Sequence, residues 1–207
     1  MLGVEDATRR FLLYFVVPMW MGAGLADWWR HRRTSIETTA GTHESMVHAL
    51  QMTQGGLPAL LGLFLEVNAG VLGATLGLLG LHQATAFWDV KYAEGRREVT
   101  PNEQHIHGVL ENVPVMATGF LMVLHWDQAQ ALFGLGGDRP RFAPQRKRKP
   151  LPRRYVASLL GAVTAFVAVP YGEELWRCYR HDRKLAPRPE AADAPVTESV
   201  REPDQAP

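Results

Sequence analysis

Acidic and imidazole side chains recur four residues apart in stretches of the chain that are otherwise mostly apolar. The pairs are Asp27/His31, Glu44/His48, Glu103/His107 and His107/Glu111. Residues four apart lie on one face of an α-helix, and so do His82 and Asp89, which are seven apart. Mixed carboxylate and imidazole ligands suit iron, manganese or zinc. The spacing therefore predicts helices that present metal-binding side chains to a common partner.

The segments that carry these residues are long enough to cross a bilayer, which takes roughly 20 helical residues. We predict five transmembrane helices, at about residues 8–33, 42–67, 69–92, 101–126 and 155–180. The second and third are separated at Asn68, because one helix from residue 42 to residue 92 would be far longer than a membrane is thick. This predicts an all-α integral membrane protein, which we expect in the bacterial cytoplasmic membrane.

The first four helices contain a weak internal repeat. Asp27 lies near the end of the first helix and Asp89 near the end of the third. The second helix begins with Glu44-x-x-x-His48 and the fourth with Glu103-x-x-x-His107. We therefore predict that residues 1–135 form a pseudo-repeated four-helix bundle, whose halves are related by an axis along the membrane normal.

Ionisable side chains in this bundle cluster by depth near the loops that follow the first and third helices. Such groups are costly in hydrocarbon and normally face the interior of a bundle, where they find partners. Nine of them are predicted metal ligands: Asp27, His31, Glu44, His48, His82, Asp89, Glu103, His107 and Glu111. Two facing carboxylate/histidine helix pairs are what a dinuclear site in a four-helix bundle requires.

Single members of the set also have structural explanations. Glu103 follows Thr100 and Pro101 in a capping box, so it has a role in starting its helix. Asp27 and Asp89 lie toward helix C-termini, where the helix dipole disfavours anions. A nearby cation, either Arg30 or Lys91, would satisfy them without any metal.

The rest of the composition limits the alternatives. The single cysteine, Cys178, excludes a disulfide framework and a cysteine-based zinc site. The net charge is only +1, and we expect no nucleic-acid partner. Residues 136–154 form a polybasic loop, expected either to lie on anionic lipid headgroups or simply to set topology. Lysine and arginine are equally frequent at both ends of the bundle, which leaves orientation open. Residues 181–207 are predicted to be a disordered tail.

In layout, residues 27–111 resemble the integral-membrane histidine-motif di-iron enzymes, the lipid desaturases and hydroxylases. In those enzymes the ligands project from the ends of transmembrane helices near one membrane surface. The resemblance implies two bound metal ions, iron with manganese or zinc as alternatives, and oxygen activation beside a lipid chain. The chain carries pairs spaced by four residues where those enzymes carry H-x-x-H-H clusters.

Several functions follow as hypotheses from this set of residues. The first is an oxidoreductase that hydroxylates or desaturates a lipid-like substrate, with electrons from a donor protein because the chain has no nucleotide-binding glycine motif. The second is a zinc-dependent membrane hydrolase. The third is a non-enzymatic membrane protein, an ion or proton relay or an assembly factor. A haem protein with His48 and His107 as axial ligands is a further alternative.

Overall fold

The computed structural model describes residues 3–186, and the regular secondary structure of that part of the chain is all helical, without strands. Its helices are α1 (Val4–Arg33), α2 (Gly41–Phe64), α3 (Ala69–Ala93), α4 (Pro101–Leu124), the short α5 (Trp126–Leu132) and α6 (Arg153–Leu185). A 3-10 turn at Ile36–Thr38 lies between α1 and α2. The predicted disordered tail lies outside the described residues from position 187 onward, and residues 181–185 belong to α6.

Four of these helices are long and apolar enough to cross a membrane. They are α1, α3, α4 and α6. The prediction of an all-helical chain with membrane-spanning helices is confirmed at this level. The second predicted span, α2, forms a helix of 24 residues but is not among the four. Its first half is rich in polar side chains, including Glu44, His48 and Gln51.

Each of the two longest helices contains a proline that is preceded by one π-helical turn. A π turn at Leu12–Val16 precedes Pro18 in α1, and a π turn at Thr164–Ala168 precedes Pro170 in α6. Proline lacks an N–H group and clashes with the carbonyl four residues earlier. The wider turn relieves this clash, and so both helices continue past their prolines.

The helices pack so that α6 completes the bundle. α2 packs against α3 and α6, while α1 packs against α4 and α6. The sequence predicts a bundle of only the first four helices, whereas the C-terminal half of α6 contacts both α1 and α2. A buried apolar cluster that includes Trp20, Met52, Val113 and Tyr171 joins α1, α2, α4 and α6.

The polybasic segment 136–154 folds back onto the turn between α2 and α3. Backbone N–H groups of Glu66 and Gly70 donate to the carbonyls of Gln145 (2.8 Å) and Arg141 (3.0 Å). The backbone passes so close that a Cβ atom at Gly70 would overlap the carbonyl oxygen of Phe142. A glycine is therefore needed at this position. Contact of the segment with lipid headgroups stays a prediction.

Candidate metal centre

Seven of the nine predicted side chains meet in one cluster at the end of the bundle where α1 and α3 end. They are Asp27 and His31 from α1, Glu44 and His48 from α2, Asp89 from α3, and Glu103 and His107 from α4. All are buried except His107, whose side chain is 17% exposed. Carboxylate and imidazole groups from four helices thus share one water-poor pocket.

Two stacked imidazole rings form the centre of the cluster. The rings of His31 and His48 are nearly parallel, with centroids 4.5 Å apart. Each ring directs Nδ1 at a different oxygen of Glu174 on α6, at 3.0 Å from His31 and 3.3 Å from His48. Glu174 is fully buried. One carboxylate therefore orients both rings and favours the tautomer in which each Nδ1 carries the proton.

The opposite nitrogen of His31 faces a first set of carboxylates. Its Nε2 lies 3.3 Å from Glu103 Oε1 and 3.5 Å from Asp27 Oδ1. Asp27 Oδ1 is also 3.0 Å from His107 Nε2. The other oxygen of Asp27 accepts a hydrogen bond from the Tyr171 hydroxyl, at 3.2 Å. Asp27, His31, Glu103 and His107 thus form one group of potential ligands.

The opposite nitrogen of His48 faces a second set. Its Nε2 lies 3.2 Å from Asp89 Oδ2 and 3.7 Å from Glu44 Oε1. Gln51 donates to the same Asp89 oxygen, at 3.4 Å. Within residues 3–186, the Nε2 atoms of His31 and His48 have no hydrogen-bond partner despite their burial. Both nitrogens point at carboxylate oxygens without a well-formed hydrogen bond.

Arg97, from the loop between α3 and α4, bridges the two sets. Its Nη1 lies 2.6 Å from Glu103 Oε1, and its Nε lies 2.9 Å from Glu44 Oε1. Burial by itself lowers the pKa of Arg97, but the hydrogen bonds and charges of Glu44 and Glu103 outweigh burial and raise the pKa above its ordinary value. Arg97 is therefore a permanent cation that neutralises one of the buried acids.

The charges of this cluster do not balance among the described residues. The carboxylates of Asp27, Glu44, Asp89, Glu103 and Glu174 face one guanidinium, which leaves four negative charges when the imidazoles are neutral. Buried charge is costly unless it is compensated. Two divalent cations would balance the four charges, and three protonated imidazoles would balance most of them.

The cations proposed as simpler partners do not contact the acids. Arg30 donates to the Thr100 hydroxyl at 2.9 Å, and the Lys91 ammonium lies over the Phe87 ring. The predicted cap of α4 is formed, because the Thr100 hydroxyl accepts from the Glu103 N–H at 3.4 Å. The Glu103 carboxylate points to His31 and Arg97 instead of back to the cap. Helix capping therefore accounts for the hydrogen bond of the Thr100 hydroxyl. It does not account for the position of the Glu103 carboxylate.

The spacing of the polar atoms suits metal ligands. Nitrogen and oxygen ligands lie about 2.0–2.2 Å from a bound ion such as zinc, so two ligands of one ion are roughly 3 to 3.5 Å apart. The three atoms of Asp27, His31 and His107 lie within 4.8 Å of one another, and so do those of His31, Glu44 and His48. His31 belongs to both groups, and its Nε2 can ligate only one ion, so Asp89, 3.2 Å from His48 Nε2, is the third candidate ligand beside Glu44 and His48.

The remaining two predicted ligands, His82 and Glu111, lie beside the cluster. With Asp27, Asp89 and His107 they line a cavity of about 20 Å³. That is room for about one water molecule. His82 is buried, and neither of its ring nitrogens has a hydrogen-bond partner in the part of the chain that the structure describes.

The chain matches no protein-family model, no curated protein and no solved structure.

Sequence reasoning missed three residues of this centre: Tyr171, Glu174 and Arg97. A signal for the first two exists, because Tyr171, Glu174 and Cys178 are spaced at three and four residues and form one buried stripe of α6. No comparable signal marks Arg97, because a loop has no fixed periodicity to show which basic residue points inward.

Proposed function

We propose that this chain is a membrane-embedded, metal-dependent oxidoreductase with a dinuclear carboxylate/histidine centre. Asp27, His31, Glu103 and His107 are the proposed ligands of one ion. Glu44, His48 and Asp89 are the proposed ligands of the other. Iron is the proposed metal, with manganese and zinc as alternatives. The substrate is proposed to be lipid-like, and the reaction its hydroxylation or desaturation.

The observation that carries this proposal is the shared acceptor of the two stacked histidines. Histidines that bind metals usually donate their second ring N–H to a carboxylate or carbonyl, which fixes the ring and its tautomer. Glu174 accepts from both Nδ1 atoms, and both Nε2 atoms are directed at carboxylates without hydrogen bonds among the described residues. This is the pattern expected for two adjacent ions held by one pair of rings.

The contacts across the cluster also support the proposed internal repeat. The Asp27–His107 pair joins α1 to α4, and the Asp89–His48 pair joins α3 to α2. These two contacts are exact counterparts if α1–α2 corresponds to α3–α4. The halves differ at His31, because the matching position four residues after Asp89 is Ala93.

The direction of the helices supports five membrane crossings. α1 and α3 both end at the cluster, to which each contributes an acid near its C-terminus. If both helices cross the bilayer in the same direction, the segment between them must return across it. Only α2 can do this, and its polar half faces the cluster with Glu44 and His48 instead of facing lipid.

The residues of this chain would orient the metal ligands, reduce the negative charge of the pocket and exclude bulk water. A redox-active metal pair would supply the oxygen chemistry. Hydroxylation of a C–H bond by O₂ gives C–OH and water and consumes two further electrons and two protons, and an electron-donor protein is the proposed source of the electrons. Glu174 orients the two imidazoles, Arg97 lowers the negative charge of the pocket, and burial excludes bulk water, which strengthens each electrostatic contact.

Elemental analysis of the detergent-purified protein tests this proposal. We expect about two transition-metal ions per chain and, for iron, near-ultraviolet charge-transfer absorption. The double variant His48→Ala/His107→Ala is expected to lose the metal. The matched control is His43→Ala/His105→Ala, because His43 packs on Tyr92 and His105 is exposed. Full metal content in the first variant, or a haem Soret band in the wild type, would contradict the assignment.

The same contacts favour a proton or ion relay as the second candidate. Three imidazoles lie within 3.0–3.3 Å of buried carboxylates, and such chains conduct protons in membrane proteins. A metal-free protein that carries out proton-coupled transport in vesicles, and whose Asp27→Asn variant loses this transport, would support the relay over the oxidoreductase.

A further inference from the structure

A long, mostly apolar cavity, partly open to the outside of the bundle, leads away from the proposed metal centre. Its volume is about 1090 Å³, and residues of α1, α2, α3, α4 and α6 line it. At one end it is lined by His82 and Tyr171, and Tyr171 contacts Asp27. At the other end it is lined by Arg9, Arg10 and Lys147. The cavity is therefore apolar along its length and polar at both ends.

The cavity is long enough for an extended hydrocarbon chain. Arg9 and Met21, which both line the cavity, are 12 positions apart in α1. At a rise of 1.5 Å per residue this corresponds to about 18 Å. A single hydrocarbon chain that follows α1 from Arg9 would thus cover more than half of the bilayer's hydrocarbon core, which is about 30 Å thick.

The end of the cavity far from the cluster carries three cations. Arg9, Arg10 and Lys147 line it together with the acids Asp6 and Glu66, and Arg9 is already paired with Glu5 at 2.6 Å. Glu66 already accepts the Arg148 backbone N–H, at 2.6 Å. Burial lowers the pKa of Lys147, an effect that Glu66 opposes and Arg9 reinforces. Within residues 3–186, Arg10 and Lys147 have no carboxylate oxygen within 4 Å, so an anionic group at this end would pair with these two side chains.

His82 lies where the long cavity meets the small cavity beside the cluster. It lines both, it is only 2% exposed, and its two ring nitrogens have no partner within residues 3–186. A polar ring in this position marks the point at which an apolar chain reaches the polar site. The small cavity beyond it, with room for about one water, is too small for a headgroup.

We propose that the long cavity binds a single-chain anionic lipid with its carboxylate or phosphate at Arg10 and Lys147 and the far end of its chain against His82. In this orientation the methyl end of the chain meets the metal centre, and the headgroup stays at the opposite interface. The reaction expected at that end rests on the proposed function, whereas the binding and its orientation do not.

The charge at the cavity mouth is tested by binding to the purified, full-length protein in detergent. The probes are a long-chain fatty acid, the corresponding monoalkyl phosphate and the corresponding fatty alcohol. We expect both anions to bind at least tenfold more tightly than the alcohol, and the tighter anion identifies the headgroup. Arg10→Gln/Lys147→Gln should remove this preference, while the control Arg139→Gln, an exposed residue of the same loop as Lys147, keeps it. Equal binding of all three probes to the wild type would overturn the proposal.

The position of the chain is tested by filling the cavity. Ala117 lines it from α4, whereas Val115 on the same helix faces outward and is 46% exposed. Ala117→Phe should abolish binding of the long-chain anion but leave a short-chain analogue bound, and Val115→Phe should change neither. Unchanged long-chain binding in Ala117→Phe would overturn the proposal.

The orientation is tested with fatty acids brominated near the methyl end or near the carboxylate. Trp20 lines the cavity seven positions before Asp27, closer to the cluster than to Arg9. The fluorescence that disappears in Trp20→Phe should be quenched more by the methyl-end bromine, and the reverse order would overturn the orientation. Metal content measured on the same samples separates the two hypotheses. Lipid binding without metal contradicts the oxidoreductase alone, and two metals without lipid binding contradict this inference alone.

Discussion

Adjacent glutamates on α6 have opposite roles. Glu174 is buried between His31 and His48. Glu173 points to the outer side, where it accepts from Arg32 at 2.6 Å and from the Trp28 indole at 2.9 Å. Residues next to each other on a helix are about 100° apart around its axis. Glu174 therefore points into the cluster, whereas Glu173 bonds to the outer surface of α1. This difference provides a matched pair for mutation.

We predict that Glu174→Gln weakens metal binding by roughly 10- to 100-fold, the usual cost of losing a group that orients a ligand. The amide has one acceptor oxygen and one NH₂ group, so only one of the two Nδ1–H groups keeps its acceptor. Competition with a chromophoric chelator measures the affinity. Glu173→Gln is the control and should bind metal like the wild type. Equal affinity in both variants would remove Glu174 from the centre.

A second prediction at this scale concerns the buried cation. Arg97→Met leaves Glu44 and Glu103 without their guanidinium, and removal of one partner of a buried ion pair costs about 3–5 kcal/mol. We expect the unfolding midpoint in detergent with chelator present to fall sharply, and added divalent metal to restore part of the loss. In the control, Arg96→Met, the midpoint should barely change because Arg96 is exposed and stacks on Tyr92. If the unfolding midpoint of Arg97→Met equals that of Arg96→Met, the role assigned to Arg97 is contradicted.

At the scale of elements, the segment 136–154 is held to the α2–α3 turn by a bond that depends on pH. The backbone hydrogen bond from Arg148 keeps the pKa of Glu66 below its ordinary value. A carboxyl group with a lowered pKa in the folded state adds stability above its unfolded pKa of about 4.3. This contribution is lost as the pH falls through the lower, folded value.

We therefore predict faster exchange of the Arg148 amide hydrogen below about pH 4, after correction for the intrinsic pH dependence of exchange. Glu66→Gln should show the faster exchange already at neutral pH, whereas Glu94→Gln at the opposite end of the bundle should not. Hydrogen exchange followed by mass spectrometry measures the segment. Exchange of Arg148 that is independent of both pH and Glu66 would contradict this explanation.

Which site residues are predictable depends on the element that carries them. Glu44 and His48 are predictable because their four-residue spacing places both on one face of a helix, and ionisable groups in a membrane bundle normally face its interior. Glu174 is harder, because it lies among the charged residues that normally end a membrane helix, and its three- and four-residue spacing from Tyr171 and Cys178 is the signal that distinguishes it. Arg97 is not predictable, because the conformation of residues 94–100 decides which of Arg96 and Arg97 turns inward.

At the scale of the whole molecule, the direction of the helices defines two ends. α1, α3 and α6 end where α2 and α4 begin, so the loops 34–40 and 94–100 share the end that holds the cluster. The α2–α3 turn and residues 136–154 share the other end. If all five helices cross the membrane, as we propose, Thr38 and Glu98 lie on one side of it and Asp138 on the other.

We predict this arrangement for single cysteines introduced at these three exposed positions in a Cys178→Ser background. In sealed membranes, an impermeant maleimide should label Thr38→Cys and Glu98→Cys from the same side and Asp138→Cys only from the opposite side. The native Cys178 is buried and is therefore shielded from the maleimide, and its replacement removes any remaining background labelling. Labelling of Thr38→Cys and Glu98→Cys from opposite sides would mean that α2 does not cross.

The shared acceptor at the cluster has a consequence for how metal would be loaded. Glu174 uses one oxygen for each ring, so an ion that fixes His31 also fixes the carboxylate that orients His48. The second ion then meets a ring whose rotational freedom is already lost. Uptake is therefore expected to be cooperative, with a sigmoidal isotherm and little of the singly loaded protein at half saturation. Loss of Glu174 would make the two uptake steps independent.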